Sequence, residues 1–168
     1  MTTRLESVTN IAILIAAVIA SVVLVRNYLL SGPGPGLPPQ IAVGEKFPLA
    51  DIDWKGNGNT LVLALAPGCE SCSESAPFYR RLTAELAALR IHMTAVLPES
   101  VEQSREYLRG LVVEVEDVRQ GSFELLKIRG TPTLILVDEQ GVVRNVWLGR
   151  FPPDKEQQVI DIIREAVS

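Results

Sequence analysis

Apolar residues follow three patterns along this chain, and each predicts a different kind of segment. From Val8 to Val25 the sequence VTNIAILIAAVIASVVLV runs eighteen residues without a charge, and Tyr28, Leu29 and Leu30 extend it past Arg26. At ~1.5 Å of rise per residue, about twenty such residues cross a hydrocarbon core ~30 Å thick. Residues 8–30 are therefore predicted to form a transmembrane signal anchor, with 1–7 as a short N-terminal tail. A cleaved secretory signal is the competing reading, with Val18 and Ala20 near the cleavage site. The apolar run continues through Ser21 to Val25, longer than an ordinary signal core, so the uncleaved anchor fits better. Residues 31–40 then hold three glycines and four prolines. Proline lacks the backbone donor and glycine resists ordering, so this stretch predicts a semi-extended linker reaching ~30 Å.

From residue 41 onward, short continuous apolar runs alternate with helical spacing. Leu49 to Trp54 predicts a short edge segment, followed by the turn cluster Lys55-Gly-Asn-Gly-Asn59. Leu61 to Ala66 is unbroken and apolar, as a strand buried on both faces should be. Glu70 to Arg90 places Phe78, Leu82, Leu86 and Leu89 at helical spacing, with a kink expected at Pro77. A strand at Ile91 to Leu97, a helix at Val101 to Leu108 and a short strand at Leu111 to Val115 follow. Ser122 to Lys127 predicts a helical turn or two. Thr133 to Val137 and Val142 to Leu148 are strands joined at Asp138-Glu-Gln-Gly141, a hairpin signal. Asp154 to Val167 is an amphipathic helix. Strands alternating with helices before a final hairpin define an α/β domain with a mixed sheet over 41–168.

The 168 residues, 47% of them hydrophobic, suffice for one domain with a core and not for two. The mean hydropathy of +0.21 is high for this charge content, and the anchor accounts for it. Net charge is −4; Arg4, Glu6 and Arg26 are the only charges before residue 31 and sum to +1, leaving −5 for the remainder. The absence of a Lys/Arg cluster to neutralise phosphates argues against a nucleic-acid partner. Arg4 and the terminal amine against Arg26 slightly favour a cytoplasmic N-terminus. Two cysteines and one histidine exclude a finger-type zinc site, and both cysteines lie in one motif, which excludes a disulfide framework.

That motif, Cys69-Glu-Ser-Cys72, carries the candidate chemistry. The strand ends at Pro67-Gly68 and the helix begins around Cys69, so first-turn N–H groups and the positive end of the helix dipole face the Cys69 sulfur. A thiolate there is stabilised and can attack a disulfide near neutral pH. Cys72, one turn on, can resolve the mixed disulfide. Cys69 is thus predicted to be the exposed nucleophile and Cys72 the buried resolving thiol, with no cofactor required. Two other readings compete. A structural disulfide closing so short a loop stabilises by only ~2 kcal/mol. A Cu(I) half-site would need His92 and Met93, which adjacent positions on a strand send to opposite faces.

A strand, a CxxC at a helix start, Pro77 eight residues after Cys69, and Gly130-Thr131-Pro132-Thr133 before the final hairpin together resemble a thioredoxin fold. The resemblance spans about residues 41–167 and implies a thioredoxin-like three-layer sandwich. It also implies a cis Thr131–Pro132 bond against the cysteines, with Gly68, Thr131 and Pro132 binding substrate and the Thr131 backbone pairing with an incoming strand. Sixty-three positions from Cys69 to Pro132 leave room for an extra strand–helix element. The anchor, the lead-in segment Val43-Gly-Glu-Lys-Phe-Pro48 and the stretch Gly130 to Gly141 are similar to membrane-anchored TlpA/ResA-type exported thioredoxins. That group reduces disulfides outside the cytoplasmic membrane, often in cytochrome c maturation. The similarity implies protein disulfide or dithiol substrates, a membrane electron donor, contact with the bilayer through 8–30, and a periplasmic or otherwise extracytoplasmic catalytic domain.

The chain departs from these relatives in ways that bear on its chemistry. Gly68 stands where an aromatic residue usually precedes the first cysteine, Leu63 where thioredoxin has a buried acid, and Ser75 where TlpA/ResA-type proteins have a glutamate. Glu74 is adjacent, but one helical position turns a side chain about 100° away. The charge of Glu70 opposes the helix dipole and destabilises the Cys69 thiolate. This favours a reductant or mildly poised exchanger over a strong oxidant. A disulfide oxidase or isomerase, a Cu(I)- or partner-binding assembly factor and a non-catalytic adaptor remain as alternatives. Trp54 and Trp147 are expected to be half-buried sheet residues, Glu114, Glu116 and Asp117 a solvated acidic loop, and Arg80 and Arg81 to lie along the first long helix.

Overall fold

A computed structural model of the protein describes residues 17, 18, 21 and 40–166. The chain divides into two units, Met1–Leu37 and Pro38–Ser168. In the first, Ala17, Val18 and Ser21 are helical. The predicted tail (1–7), the rest of the anchor (8–30) and the linker but for Gln40 lie outside the described residues. Among the described residues no helix is long and apolar enough to cross a membrane.

The second unit is built on five strands: β1 (Thr60–Ala64), β2 (His92–Leu97), β3 (Asp117–Gln120), β4 (Thr133–Val137) and β5 (Val143–Leu148), in spatial order β3-β2-β1-β4-β5. β1 runs parallel to β2 and antiparallel to β4; β2 and β3 are parallel, β4 and β5 antiparallel. Central β1 and β4 are buried at every position, which is why both read as unbroken apolar runs. The helices are α1 (Trp54–Asn57), α2 (Glu70–Glu74), α3 (Ala76–Leu89), α4 (Val101–Gly110) and α5 (Pro153–Glu165). The sheet is mixed and the domain α/β, as the residue pattern predicts.

Two cores lie on opposite faces of the sheet. On one, Leu61, Leu63, Met93 and Leu134 meet Phe78 and Leu82 of α3, Leu108 of α4 and Ile160 and Ile163 of α5. On the other, Val62, Ala64, Val96 and Ile135 meet Ile41, Phe47, Leu126 and Ile128, with Trp54 and Phe123 packed alongside. The expected three-layer sandwich is thus helical on one side only. The second side is covered by irregular segments and the four-residue α1.

Several local expectations are corrected. Leu49 to Trp54 is not a strand, because Asp53 accepts a hydrogen bond from Gly56 N–H at 2.9 Å and caps α1. Residues 44–47 cover the sheet edge instead: Gly44 N–H donates to Val143 O at 2.8 Å and Phe47 N–H to Gly141 O at 2.9 Å. Leu111 to Val115 is not a strand either. Leu111 caps α4, and Val112 takes a left-handed φ of 55°. The strand is the polar DVRQ of β3, an edge strand in which only Val118 is fully buried, so it lacks the apolar run of an interior one. Ser122 to Lys127, by contrast, does form the expected helical turn or two, with Leu126 N–H on Ser122 O at 3.0 Å and Ile128 N–H on Phe123 O at 2.7 Å. The first long helix breaks at Ser75, not Pro77. Pro77 lies in the first turn of α3, where its missing donor costs nothing.

Candidate active site

The site forms where β1 hands the chain to α2. Pro67 and Gly68 make the turn, and the φ of 78° at Gly68 is one that glycine adopts without a Cβ penalty. Cys69 N–H then donates to Ala66 O at 3.2 Å, and Cys69 becomes the cap of α2. Its Sγ accepts from Cys72 N–H at 3.2 Å. A backbone donor thus points at the first sulfur, as expected for a cysteine at a helix start. Cys69 and Cys72 are joined as a disulfide with Cα atoms 5.2 Å apart. Cys72 is fully buried in the helix-side core, whereas Cys69 is partly exposed and faces the surface with Gly68 and Pro67.

Thr131–Pro132 is a cis peptide, and the Thr131 carbonyl oxygen lies 3.4 Å from Cys69 Sγ. The register Ala64↔Thr133 explains the meeting, because the end of β1 and the start of β4 lie side by side. Pro132 is buried and Thr131 half-buried. Gly68, Cys69, Cys72, Thr131 and Pro132 therefore share one end of the sheet. Glu70 and Glu74 lie on exposed positions of α2, and Glu74 Oε2 is 2.6 Å from Arg150 Nη1, beyond the end of β5. Gly149 N–H donates to Pro132 O at 2.7 Å, and Phe151 meets Phe78 edge-on at 6.2 Å.

Below Cys72, Ser75 is buried and its Oγ donates to Ser71 O at 2.7 Å. Tyr79 lies beneath it in the core. Burial pushes the Tyr79 phenol well above its ordinary range, against the opposing effect of its hydrogen bond with Ser75. The phenol therefore stays protonated. Sequence reading missed Arg150 and the Ser75–Tyr79 contact; the i, i+4 spacing of the latter is the one signal that could have found it.

The remaining candidates lie elsewhere. Met93 packs into the helix-side core, and His92 Nε2 is 3.7 Å from Asp117 Oδ2, so the two do not converge on the cysteines. Asp117 is also held by Arg119 at 2.6 Å and Thr94 at 2.9 Å. Trp54 stands edge-on to Phe47, and Trp147 packs on the helix-side core; both are half-buried. Arg81 pairs with Glu156 and covers the Phe78 ring, while Arg80 donates to Leu111 O at 2.8 Å.

No family model matches this chain, and no curated protein matches it at significance. Solved structures do. A protein described as the thiol:disulfide interchange protein DsbE of Chlorobium tepidum superposes with TM-score 0.61 at 21% identity, covering 77% of this chain and 100% of its own. The thioredoxin domain of a thiol-disulfide oxidoreductase from Bacteroides vulgatus gives 0.57 at 18%, covering 74% and 99%. StoA from Bacillus subtilis gives 0.52 at 17%, covering 74% and 97%. The chain has a thioredoxin-like α/β fold with a mixed five-stranded sheet.

Proposed function

We propose that this protein is a thiol–disulfide oxidoreductase that cycles Cys69 and Cys72 between dithiol and disulfide. The observation that carries the reading is the position of the Cys69 sulfur. It caps a helix start, receives the Cys72 N–H, touches the Thr131 carbonyl and borders solvent, while its partner sulfur is buried. In the reduced protein the Cys69 thiolate attacks one sulfur of a substrate disulfide and forms a mixed disulfide. The departing substrate sulfur leaves as thiolate. Cys72 then loses its proton and attacks Cys69, which releases the second substrate thiolate and regenerates the disulfide seen here. Two electrons pass from the protein to its substrate. The exposed turn at Pro67 and Gly68 beside Cys69 suits a polypeptide substrate, with open space above Gly68.

In this reading residues 8–30 anchor the protein in the cell membrane with the N-terminus cytoplasmic. The domain stands outside and reduces disulfides of exported proteins, such as those of cytochrome c maturation, with electrons from a membrane donor. The anchor-length apolar run and the Pro/Gly linker support the anchoring, and the names of the structural neighbours support the thiol–disulfide chemistry alone. The test is Cys72→Ser in the full chain. It should accumulate mixed disulfides with exported proteins that dithiothreitol releases, and Cys69→Ser should abolish both capture and insulin reduction. Insulin reduction undiminished in Cys69→Ser would overturn the proposal. Redox titration against glutathione separates a reductase from an oxidase or isomerase.

A further inference from the structure

We propose that the Glu74–Arg150 ion pair tunes the Cys69 thiol, with Arg150 a positioning residue that cancels a carboxylate charge at the redox site. The inference rests on the thiol–disulfide reading above. α2 carries two carboxylates, Glu70 and Glu74, one turn apart on the same face, and its sequence ESCSE holds no cation. The cation comes from the connection between β5 and α5. Arg150 Nη1 lies 2.6 Å from Glu74 Oε2, with the two side chains 56% and 44% exposed.

The pair closes a ring of contacts around the disulfide. Cys69 Sγ meets Thr131 O at 3.4 Å. Gly149 N–H donates to Pro132 O at 2.7 Å, and Arg150, the next residue, returns to α2. Glu74 follows Cys69 by five residues, about 7.5 Å along a helix axis. The charge separation is at least this axial rise, comparable with the Debye length of ~10 Å at 0.1 M salt. With Arg150 in place, the pair adds no net charge near the Cys69 sulfur. Without Arg150, the Glu74 carboxylate disfavours the Cys69 thiolate. Without Glu74, the guanidinium favours it.

A mechanical cross-link behaves differently, because cutting it from either end has the same consequence. Opposite signs from the two ends are the mark of the electrostatic role. The experiment measures the pH dependence of iodoacetamide alkylation of Cys69 in the reduced full-length protein. Arg150→Gln should lower the thiolate fraction by up to about twofold below the midpoint pH at low salt, the size expected of one charge ~10 Å away in a water-like dielectric. Glu74→Gln should raise it by a similar factor. The double variant should lie close to wild type, and both single effects should fade at about 1 M salt, where the Debye length is ~3 Å. Single variants that move the profile in the same direction, or not at all, overturn the inference. If wild-type Cys69 alkylates no faster than free cysteine, the thiol–disulfide reading itself fails, and the two failures are thereby distinguished.

Discussion

The two faces of the sheet are equally well buried and built in different ways. On the face that carries the Cys69–Cys72 disulfide, α3, α4 and α5 lay helical stripes against β1, β2 and β4, and Cys72 sits inside that core. On the other face, the segment from Ile41 to Trp54 and the turns from Phe123 to Ile128 do the same work with almost no regular structure. Each backbone polar group in such segments needs its own partner, as Ile41 N–H finds in Lys127 O at 2.9 Å. The helical face positions the sulfurs by repeating geometry. The irregular face is held by single contacts and delivers Thr131 to the site.

This contrast can be broken by mutation. The largest effect is expected in the helical core: Leu82→Ala removes a fully buried side chain and should cost about 2–5 kcal/mol in urea unfolding. A cost below about 1 kcal/mol would show that α3 can collapse into the gap and that this face is less closely packed than its burial implies.

Next comes the hairpin against which residues 44–47 lie. Asp138 is buried and accepts from Gln140 N–H and Val142 N–H at 2.9 Å and from Arg144 Nε at 2.7 Å. Burial acts to raise its pKa, yet these donors win and hold the carboxyl below the ordinary value of 3.8. Asp138→Asn should cost about 1.5–3 kcal/mol at pH 7, the range for hydrogen bonds to a charged group. The sign with pH follows from linkage. A lowered folded pKa contributes stability that is full above 3.8 and lost as pH falls through the folded value. The gap between wild type and variant should therefore be flat near neutrality and narrow below pH 3.8. Denaturation midpoints measured across that range check it.

The smallest effect is expected from the irregular face. A Cβ added at Gly121 would stand 2.7 Å from both Leu126 Cδ1 and Val96 Cγ1. Gly121→Ala should cost about 1–3 kcal/mol by overpacking, and alkylation of Cys69 should be unchanged. If the cost equals that of Leu82→Ala, or if Cys69 reactivity moves with it, the two faces are not the separate units described here.

The difference between the faces is also the difference between what could and could not be read from residues alone. Phe78, Leu82 and Leu86 announce a helix stripe because helical spacing repeats, and Leu61 to Ala64 announce an interior strand because both sides of it are covered. β3 shows one inward apolar residue among polar ones, so it has no run to read. The residue pattern therefore points to Leu111–Val115 instead of the true strand. In the site, Cys69 and Cys72 were legible from a spacing of one helical turn. Arg150 was not, since it meets Glu74 across seventy-six positions of sequence.

By itself the sequence determined the α/β class, the cysteine pair at the start of a helix and which of its sulfurs would be buried, because these depend on local spacing and on the end of one helix. Only the tertiary structure decided that the second face would be covered by irregular segments and the four-residue α1, while it places Thr131 against Cys69 as the resemblance implies. It also decided that an arginine from beyond β5 would neutralise the carboxylate beside them. Those outcomes arise from strand order and register, which bring distant segments together through space and leave no periodic trace along the chain.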